Sequence, residues 1–110
     1  NLKIAKSQYQ ENLLSFAQTI VDAGIEVNNH LSQVQTYHEL AGIYRKRTAA
    51  VRRSEKATRL LQESGSSTYL EVLTAQQNLL TAELQELSNK YNEISSTIAL
   101  YQALGGGYSR

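Results

Sequence analysis

The chain has 110 residues, 41% of them apolar, a net charge of +1, and no cysteine, proline or tryptophan. The lack of cysteine excludes disulfides, zinc–thiolate sites and thiol nucleophiles, and the near-zero charge favours no strongly acidic or basic partner. The length allows one domain at most. This composition favours long helices that pair along narrow contacts over a globule with a thick core. Because the sequence begins Asn-Leu-Lys without a methionine, we interpret it as an internal piece of a longer chain.

The first helix is predicted over residues 2–63, because apolar residues recur along one face at alternating spacings of three and four. They are Leu13, Phe16, Ile20, Ala23, Val27, Val34, Tyr37, Ala41, Tyr44, Thr48 and Val51, with a polar gap at His30. A patchier second stripe, which includes Leu14, Val21 and Leu31, indicates neighbours on two sides. Helix propensity is weakest at residues 27–30, so a break there is the alternative to one continuous helix of roughly 90 Å.

A reversal of the chain is predicted at residues 64–68. Gly65 can adopt the left-handed conformation that ends a helix, and Ser66, Ser67 and Thr68 can each accept a hydrogen bond from the free amides of the next helix. Thr68 followed three residues later by Glu71 fits a capping box.

The second helix is predicted over residues 69–104, followed by a glycine-rich tail at 105–110. Its large apolar residues repeat every seven positions, which predicts a coiled coil with the first helix folded back across the turn. They are Leu73, Leu80, Leu87, Ile94 and Tyr101, with Leu70, Leu84, Tyr91 and Ile98 at the other core position. We expect the first five to pack on the segment from Tyr37 to Val51. Residues 2–27 then lack a partner, so the isolated chain should self-associate in a non-native way or bend at Asn28-Asn29.

Catalytic, metal and nucleic-acid sites are not expected. Two long helices offer no cleft to hold a nucleophile beside a base, and His30 and His38 are eight residues apart, too far to chelate one ion together. No cofactor is expected. No aromatic platform or groove-reading motif accompanies the basic residues between 45 and 59, so we interpret them as a solvated helical face. They are Arg45, Lys46, Arg47, Arg52, Arg53, Lys56 and Arg59.

Two motifs carry a resemblance to a known family. The run from Gly65 to Gln76 reads Gly-Ser-Ser-Thr-Tyr-Leu-Glu-Val-Leu-Thr-Ala-Gln, and the segment 98–108 reads Ile-Ala-Leu-Tyr-Gln-Ala-Leu-Gly-Gly-Gly-Tyr. The first run resembles the periplasmic turn of the TolC-like outer-membrane efflux factors, including their lipoprotein branch. The second resembles the family's closing Leu-Tyr-Lys-Ala-Leu-Gly-Gly-Gly-Trp. These proteins are the exit ducts of tripartite drug and metal pumps and of type I secretion.

The resemblance implies an all-α antiparallel hairpin, the second-repeat hairpin of a trimeric, twelve-helix α-barrel in the periplasm below an outer-membrane β-barrel. It implies that a periplasmic adaptor docks at the tip and links the duct to an inner-membrane transporter. The implied docking residues are Gly65, Ser66, Ser67, Thr68, Tyr69 and Leu70. Glu71 matches the acid that lines the periplasmic gate. The family often has a second acid three residues later, but Thr74 stands here, so a single ring of Glu71 is expected.

A second class of function stays open from the residues themselves. A structural coiled coil, or a spectrin-like module of three helices, fits a chain of this length if the first helix breaks near Asn28. Continuity of the helix through residues 27–31 separates this compact module from the extended hairpin.

Overall fold

A computed structural model, which describes residues 2–105, shows two antiparallel helices joined by a short turn. Helix α1 spans Leu2–Glu63 and helix α2 spans Tyr69–Gly105. No strand occurs within this described range, and the molecule measures 94 × 20 × 18 Å. The predicted all-α hairpin is confirmed. Gly105, predicted to begin the tail, is the last residue of α2, and the rest of that tail, 106–110, lies outside the described residues.

Helix α1 is continuous through the segment where a break was the alternative. Residues 27–31 are helical without interruption. Asn28 and Asn29 are exposed, and each costs at most about 0.7 kcal/mol of helix propensity relative to alanine. A penalty of this size is too small to break a helix that continues for many residues on both sides. The chain is therefore an extended hairpin and not a compact three-helix module.

The face of α1 that meets α2 is the predicted stripe, extended towards the turn. From Val27 onwards its members are buried or half-buried, and the same spacing continues through Glu55 and Thr58. Thr48 is only 1% exposed and Glu55 7%. The Glu55 carboxylate is paired with the guanidinium of Arg59 one turn later, at 3.7 Å. The sequence interpretation ended the stripe at Val51, and the two positions that extend it, 55 and 58, are polar.

The face of α2 that meets α1 is not the predicted one. The five residues expected to pack on α1 are exposed, from 38% for Leu73 to 69% for Tyr101. The face that packs, here called the contact face, has the same heptad spacing, but its centre lies about 150° around the helix from the predicted one. It consists of Val72, Ala75, Leu79, Ala82, Glu86, Asn89, Glu93, Ser96, Leu100 and Ala103. The large apolar residues outside this face form a stripe that faces away from α1, here called the apolar back. It consists of Leu73, Leu80, Leu84, Leu87, Tyr91, Ile94, Ile98 and Tyr101.

Small and polar side chains explain why this contact face is used. Ala82 is 4% exposed, and its carbonyl accepts a hydrogen bond from Thr48 Oγ1 at 3.3 Å. Asn89 Nδ2 donates to the carbonyl of Tyr37 at 3.0 Å. Such side-chain-to-backbone bonds require the helices to lie close together, and a row of leucines between them would hold them apart. Close approach and hydrogen bonding thus determine the packed face, while the leucine-rich face stays free.

The first part of α1 extends beyond the reach of α2. All described residues from Leu2 to Glu26 are exposed, and among them Leu13 is 50%, Phe16 65% and Ile20 55% exposed. Over residues 2–105, neither helix has a stretch long and apolar enough for a membrane span. The overhang is therefore an amphipathic helix that has no partner among the described residues.

Candidate functional site

The turn at the distal end of the hairpin is held by a backbone motif centred on Gly65. Gly65 has a φ of 83°, which is the left-handed conformation. Its N–H donates to the Gln62 carbonyl at 3.0 Å, and the Ser66 N–H donates to the Leu61 carbonyl at 2.7 Å. This pair of bonds is the Schellman motif, which satisfies the last carbonyls of a helix. A Cβ at Gly65 would meet nothing within 4 Å, so glycine is required here for its conformation and not for space.

Helix α2 begins with the predicted cap. Thr68 Oγ1 accepts the Glu71 N–H at 3.2 Å, and the Thr68 carbonyl accepts the Val72 N–H at 3.2 Å. The capping box is only half formed, because within residues 2–105 the Glu71 carboxylate makes no hydrogen bond back to the Thr68 amide. The Thr74 hydroxyl donates to the Leu70 carbonyl at 3.0 Å. Glu71 is therefore available to interact outside the hairpin, whereas Thr74 is satisfied locally.

The structure places the sequence-predicted docking residues together at the end of the molecule. Tyr69 is 67% and Leu70 is 72% exposed, Ser67 is half-buried, and Gly65, Ser66 and Thr68 are exposed. This surface is small and mostly polar, with an aromatic ring and a leucine at the start of α2.

The two predicted gate positions lie beside the tip. Glu71 and Thr74 line a groove of about 480 Å³ between the helices, together with Leu70 and, from α1, Val51 and Thr58. The gate positions and the docking residue Leu70 thus share one edge of the hairpin. The groove is open to solvent and carries one carboxylate.

The same edge continues along the hairpin as a polar surface that the sequence interpretation missed. Two further grooves, of about 260 and 190 Å³, follow the first towards the open end of the hairpin. Their α2 sides bear hydroxyl and carboxamide groups at spacings of three and four. These residues, here called the polar edge, are Thr74, Asn78, Thr81, Gln85, Ser88 and Asn92. Counting the helical period of uncharged polar residues would have found them.

The opposite edge of the hairpin is charged. Arg52 pairs with Glu83 at 3.5 Å, and His38 lies 3.6 Å from the Glu93 carboxylate. A groove of about 610 Å³ between these pairs is lined by charged groups of both helices, among them Arg45. This surface, here called the charged edge, consists of His38, Arg45, Arg52, Glu83, Glu86, Lys90 and Glu93. Part of the basic cluster therefore forms ion pairs within the hairpin.

Comparison with known proteins identifies the family. The profile of the outer membrane efflux protein family matches residues 1–106. The cation efflux system protein CusC of Escherichia coli K12 is 31% identical over 107 residues, 97% of this chain and 23% of CusC. The toluene efflux pump outer membrane protein TtgF of Pseudomonas putida is 46% identical over 46 residues, 42% of this chain and 10% of TtgF. The probable outer membrane lipoprotein SilC of Salmonella typhimurium is 27% identical over 108 residues, 98% of this chain and 23% of SilC.

The family profile matches both helices and the turn between them. Among solved structures, none matches the chain at a significant level. The chain spans about a quarter of the length of the curated relatives that it matches along its whole length, 24% in the case of CusC from Escherichia coli O157:H7. The resemblance stated from the tip and closing motifs is confirmed by a profile match that includes both helices. The chain belongs to the outer membrane efflux protein family.

Proposed function

We propose that this hairpin is the periplasmic tunnel segment of an outer-membrane efflux duct in a tripartite pump. The observation that carries the proposal is the family match over residues 1–106. Relatives described as a cation efflux system protein and a toluene efflux pump outer membrane protein support an export role. An extended hairpin of 94 Å with a single turn at one end suits a segment that projects from a membrane-embedded part.

The duct is proposed to be a homotrimer in which hairpins stand side by side. In a ring, every helix has two neighbours, and residues 2–105 provide only one for each helix. The apolar back of α2 and the overhang of α1 supply the second surfaces. Leu87 is 63% exposed and Phe16 is 65% exposed, and full burial of one such side chain is worth about 1.5–3 kcal/mol. Assembly therefore has a large apolar driving force.

The tip is proposed to dock a periplasmic adaptor, which in turn links the duct to an inner-membrane transporter. The open space around Gly65 leaves room for the close approach of a partner backbone. Ser66, Ser67 and Thr68 add small hydrogen-bonding groups, and Tyr69 and Leu70 add an apolar contact. One such contact is weak, but several turns in a ring supply avidity.

Glu71 is proposed to line the entrance of the duct. Its carboxylate has no partner among the described residues, and it faces an open groove. In a three-fold assembly, three such carboxylates around one axis attract cations, as acidic rings do in cation channels. Because Thr74 replaces the second acid, the ring is expected at one level only.

The docking role is tested with Gly65→Arg and Gly65→Ala in the full-length protein. Both substitutions strain the positive φ, at a cost of about 1–2 kcal/mol, but only arginine adds bulk and charge to the docking surface. We expect resistance to the exported compound to fall strongly for Gly65→Arg and much less for Gly65→Ala. Trimer assembly and the level in the membrane should remain normal for both.

Each outcome of this comparison has a consequence. Normal efflux by a correctly assembled Gly65→Arg trimer would reject docking at the tip. Equal losses in the two variants would show that the turn conformation, and not its surface, is what efflux requires. Loss of assembly in both would assign these residues to the capping of the helices alone.

A further inference from the structure

The polar residues of α2 are sorted by charge around the helix. The contact face and the apolar back lie on opposite sides, so two faces remain, one at each edge of the hairpin. Helix α2 carries five charged residues, Glu71, Glu83, Glu86, Lys90 and Glu93. Of the other four, Glu83 and Lys90 lie at the charged edge, and Glu86 and Glu93 lie where the contact face borders that edge. Glu83 and Glu93 there pair with Arg52 and His38. The polar edge carries only hydroxyl and carboxamide groups beyond Glu71.

The polar edge also faces open space along its whole length. The three grooves between the helices on this side follow one another from the turn to the level of Asn92. Two charged side chains reach these grooves, Glu71 next to the turn and Arg47 of α1. Arg47 Nη1 donates to Gln85 Oε1 at 3.3 Å, which places the guanidinium near Gln85. Gln85 lies roughly 21 Å along the axis from Glu71, at about 1.5 Å per residue.

The order of the four faces decides which one can enclose a passage. In a ring of helices, the contact face and the apolar back point along the ring to its two neighbours. One edge must then face the inside of the ring and the other the outside. Glu71, the proposed entrance residue, lines the same groove as Thr74 and Asn78 of the polar edge, so in such a ring this edge lies on the inside. The charged edge, with its ion pairs formed within one hairpin, lies on the outside.

We propose that the polar edge lines a water-filled passage whose wall carries charge at two levels only, the acidic Glu71 at the mouth and the basic Arg47 further in. This inference rests on the proposed function, because it requires hairpins arranged around an axis. Hydroxyl and carboxamide groups both donate and accept hydrogen bonds, so the wall between the two levels is wetted without favouring either sign of charge. The cargo that suits such a wall is a hydrated small solute, and discrimination by charge is confined to the two levels.

A pair of matched cysteine variants tests the assignment in the full-length protein reconstituted into planar bilayers. Asn78→Cys lies on the polar edge. Gln76→Cys lies two residues away, at nearly the same distance from the turn. It is seven residues before Glu83 and therefore lies on the charged edge. Both positions are exposed. The 110 residues contribute no native thiol. The thiols are modified with a sulfonate-bearing and a trimethylammonium-bearing methanethiosulfonate reagent, and labelling is verified by mass.

We expect modification of Asn78→Cys to lower the single-channel conductance, and the two reagents to shift the ion preference in opposite directions. Modification of Gln76→Cys should change neither quantity. Neutralising Arg47 with Arg47→Gln should shift the preference towards cations, whereas Arg45→Gln on the charged edge should not. If Asn78→Cys fails to assemble, Ser88→Cys and Lys90→Cys form a second pair with the same geometry.

The failures of the two proposals are distinguishable. A conducting duct that responds at Gln76 and not at Asn78, or at neither position despite full labelling, overturns the assignment of the faces and leaves the duct itself intact. An Asn78→Cys thiol that no reagent reaches also overturns the assignment. A wild-type protein that inserts but does not conduct overturns the proposed function and this inference with it.

Discussion

Asn89 of α2 donates a hydrogen bond from its side chain to the main-chain carbonyl of Tyr37 on α1, at 3.0 Å. The side chain is nearly enclosed, since Asn89 is 5% exposed. The bond joins the two helices at a level where α2 contributes no large apolar side chain to the contact. The contact between the helices therefore depends on polar complementarity as well as on apolar burial.

We predict that Asn89→Ala lowers the free energy of unfolding of the 110-residue chain relative to Asn78→Ala. Both changes raise helix propensity equally, so their difference isolates the bond between the helices, worth about 1 kcal/mol. Chemical denaturation followed by the helical circular dichroism signal measures it. Equal effects of the two substitutions would show that the bond contributes nothing to stability.

A second prediction tests the observed rotation of α2. Ala82→Leu places a larger side chain in the closest part of the contact and should destabilise the hairpin by about 1–3 kcal/mol. Leu80→Ala, at a position 57% exposed on the apolar back, should have little effect on the dilute monomer. A loss of about 2–5 kcal/mol for Leu80→Ala, as expected for a buried leucine, would show that the leucine stripe packs on α1 after all.

A third prediction concerns the overhang of α1. The isolated chain should self-associate, because Leu13, Phe16 and Ile20 are exposed on one face and nothing within residues 2–105 covers them. Sedimentation equilibrium should show oligomers whose population falls with Phe16→Ser. Gln18→Ser, on the same segment but on the opposite side of the helix from the stripe, is the matched control, since Gln18 is also exposed. A fully monomeric wild-type chain at high concentration would contradict this prediction.

A fourth prediction concerns the entrance. In the full-length protein, Glu71→Ala should raise the conductance and reduce the preference for cations, because it removes the carboxylate proposed to line the constriction. Glu83→Ala removes a carboxylate from the charged edge and should leave both quantities unchanged. If Glu71→Ala conducts like the wild type with the same ion preference, Glu71 acts only at the start of α2.

The sequence predicted those parts of the fold that depend on local chemistry. Gly65 and Thr68 identified the turn because a left-handed glycine and a capping hydroxyl act within a few residues of the chain. The heptad of α1 identified its packed face for the same kind of reason, since only one strong stripe runs through the half of α1 next to the turn. The hairpin required nothing beyond these two local signals.

The face of α2 was predicted wrongly because two heptads run along this helix. The one rich in large residues, from Leu73 to Tyr101, carries more apolar area, and a single chain considered alone should bury it. The observed contact instead uses Ala82 and Asn89, where small size and hydrogen bonding bring the helices together. The apolar area of a helix shows how much of its surface must be buried. It does not show whether the partner that buries this surface belongs to the same chain.

The polar edge was missed for a related reason. Thr81 and Gln85 become recognisable as one surface only when α1 is in place and shows which side of α2 is left open. Their sequence spacing is as regular as that of the leucines. Exposed polar residues are common on any helix surface, however, so their spacing alone does not indicate a functional surface. The charge sorting between the two edges is the signal that distinguishes them.

Cryo-electron microscopy of the purified full-length protein will show whether this hairpin forms the wall and mouth of an outer-membrane duct. We expect a three-fold particle in which the Gly65 turns lie at the end farthest from the membrane-embedded part. Asn78 and Ser88 should face the central axis, with the apolar back against a neighbouring helix. A particle in which the hairpin lies outside the tunnel, or turns the charged edge towards the axis, would contradict this expectation.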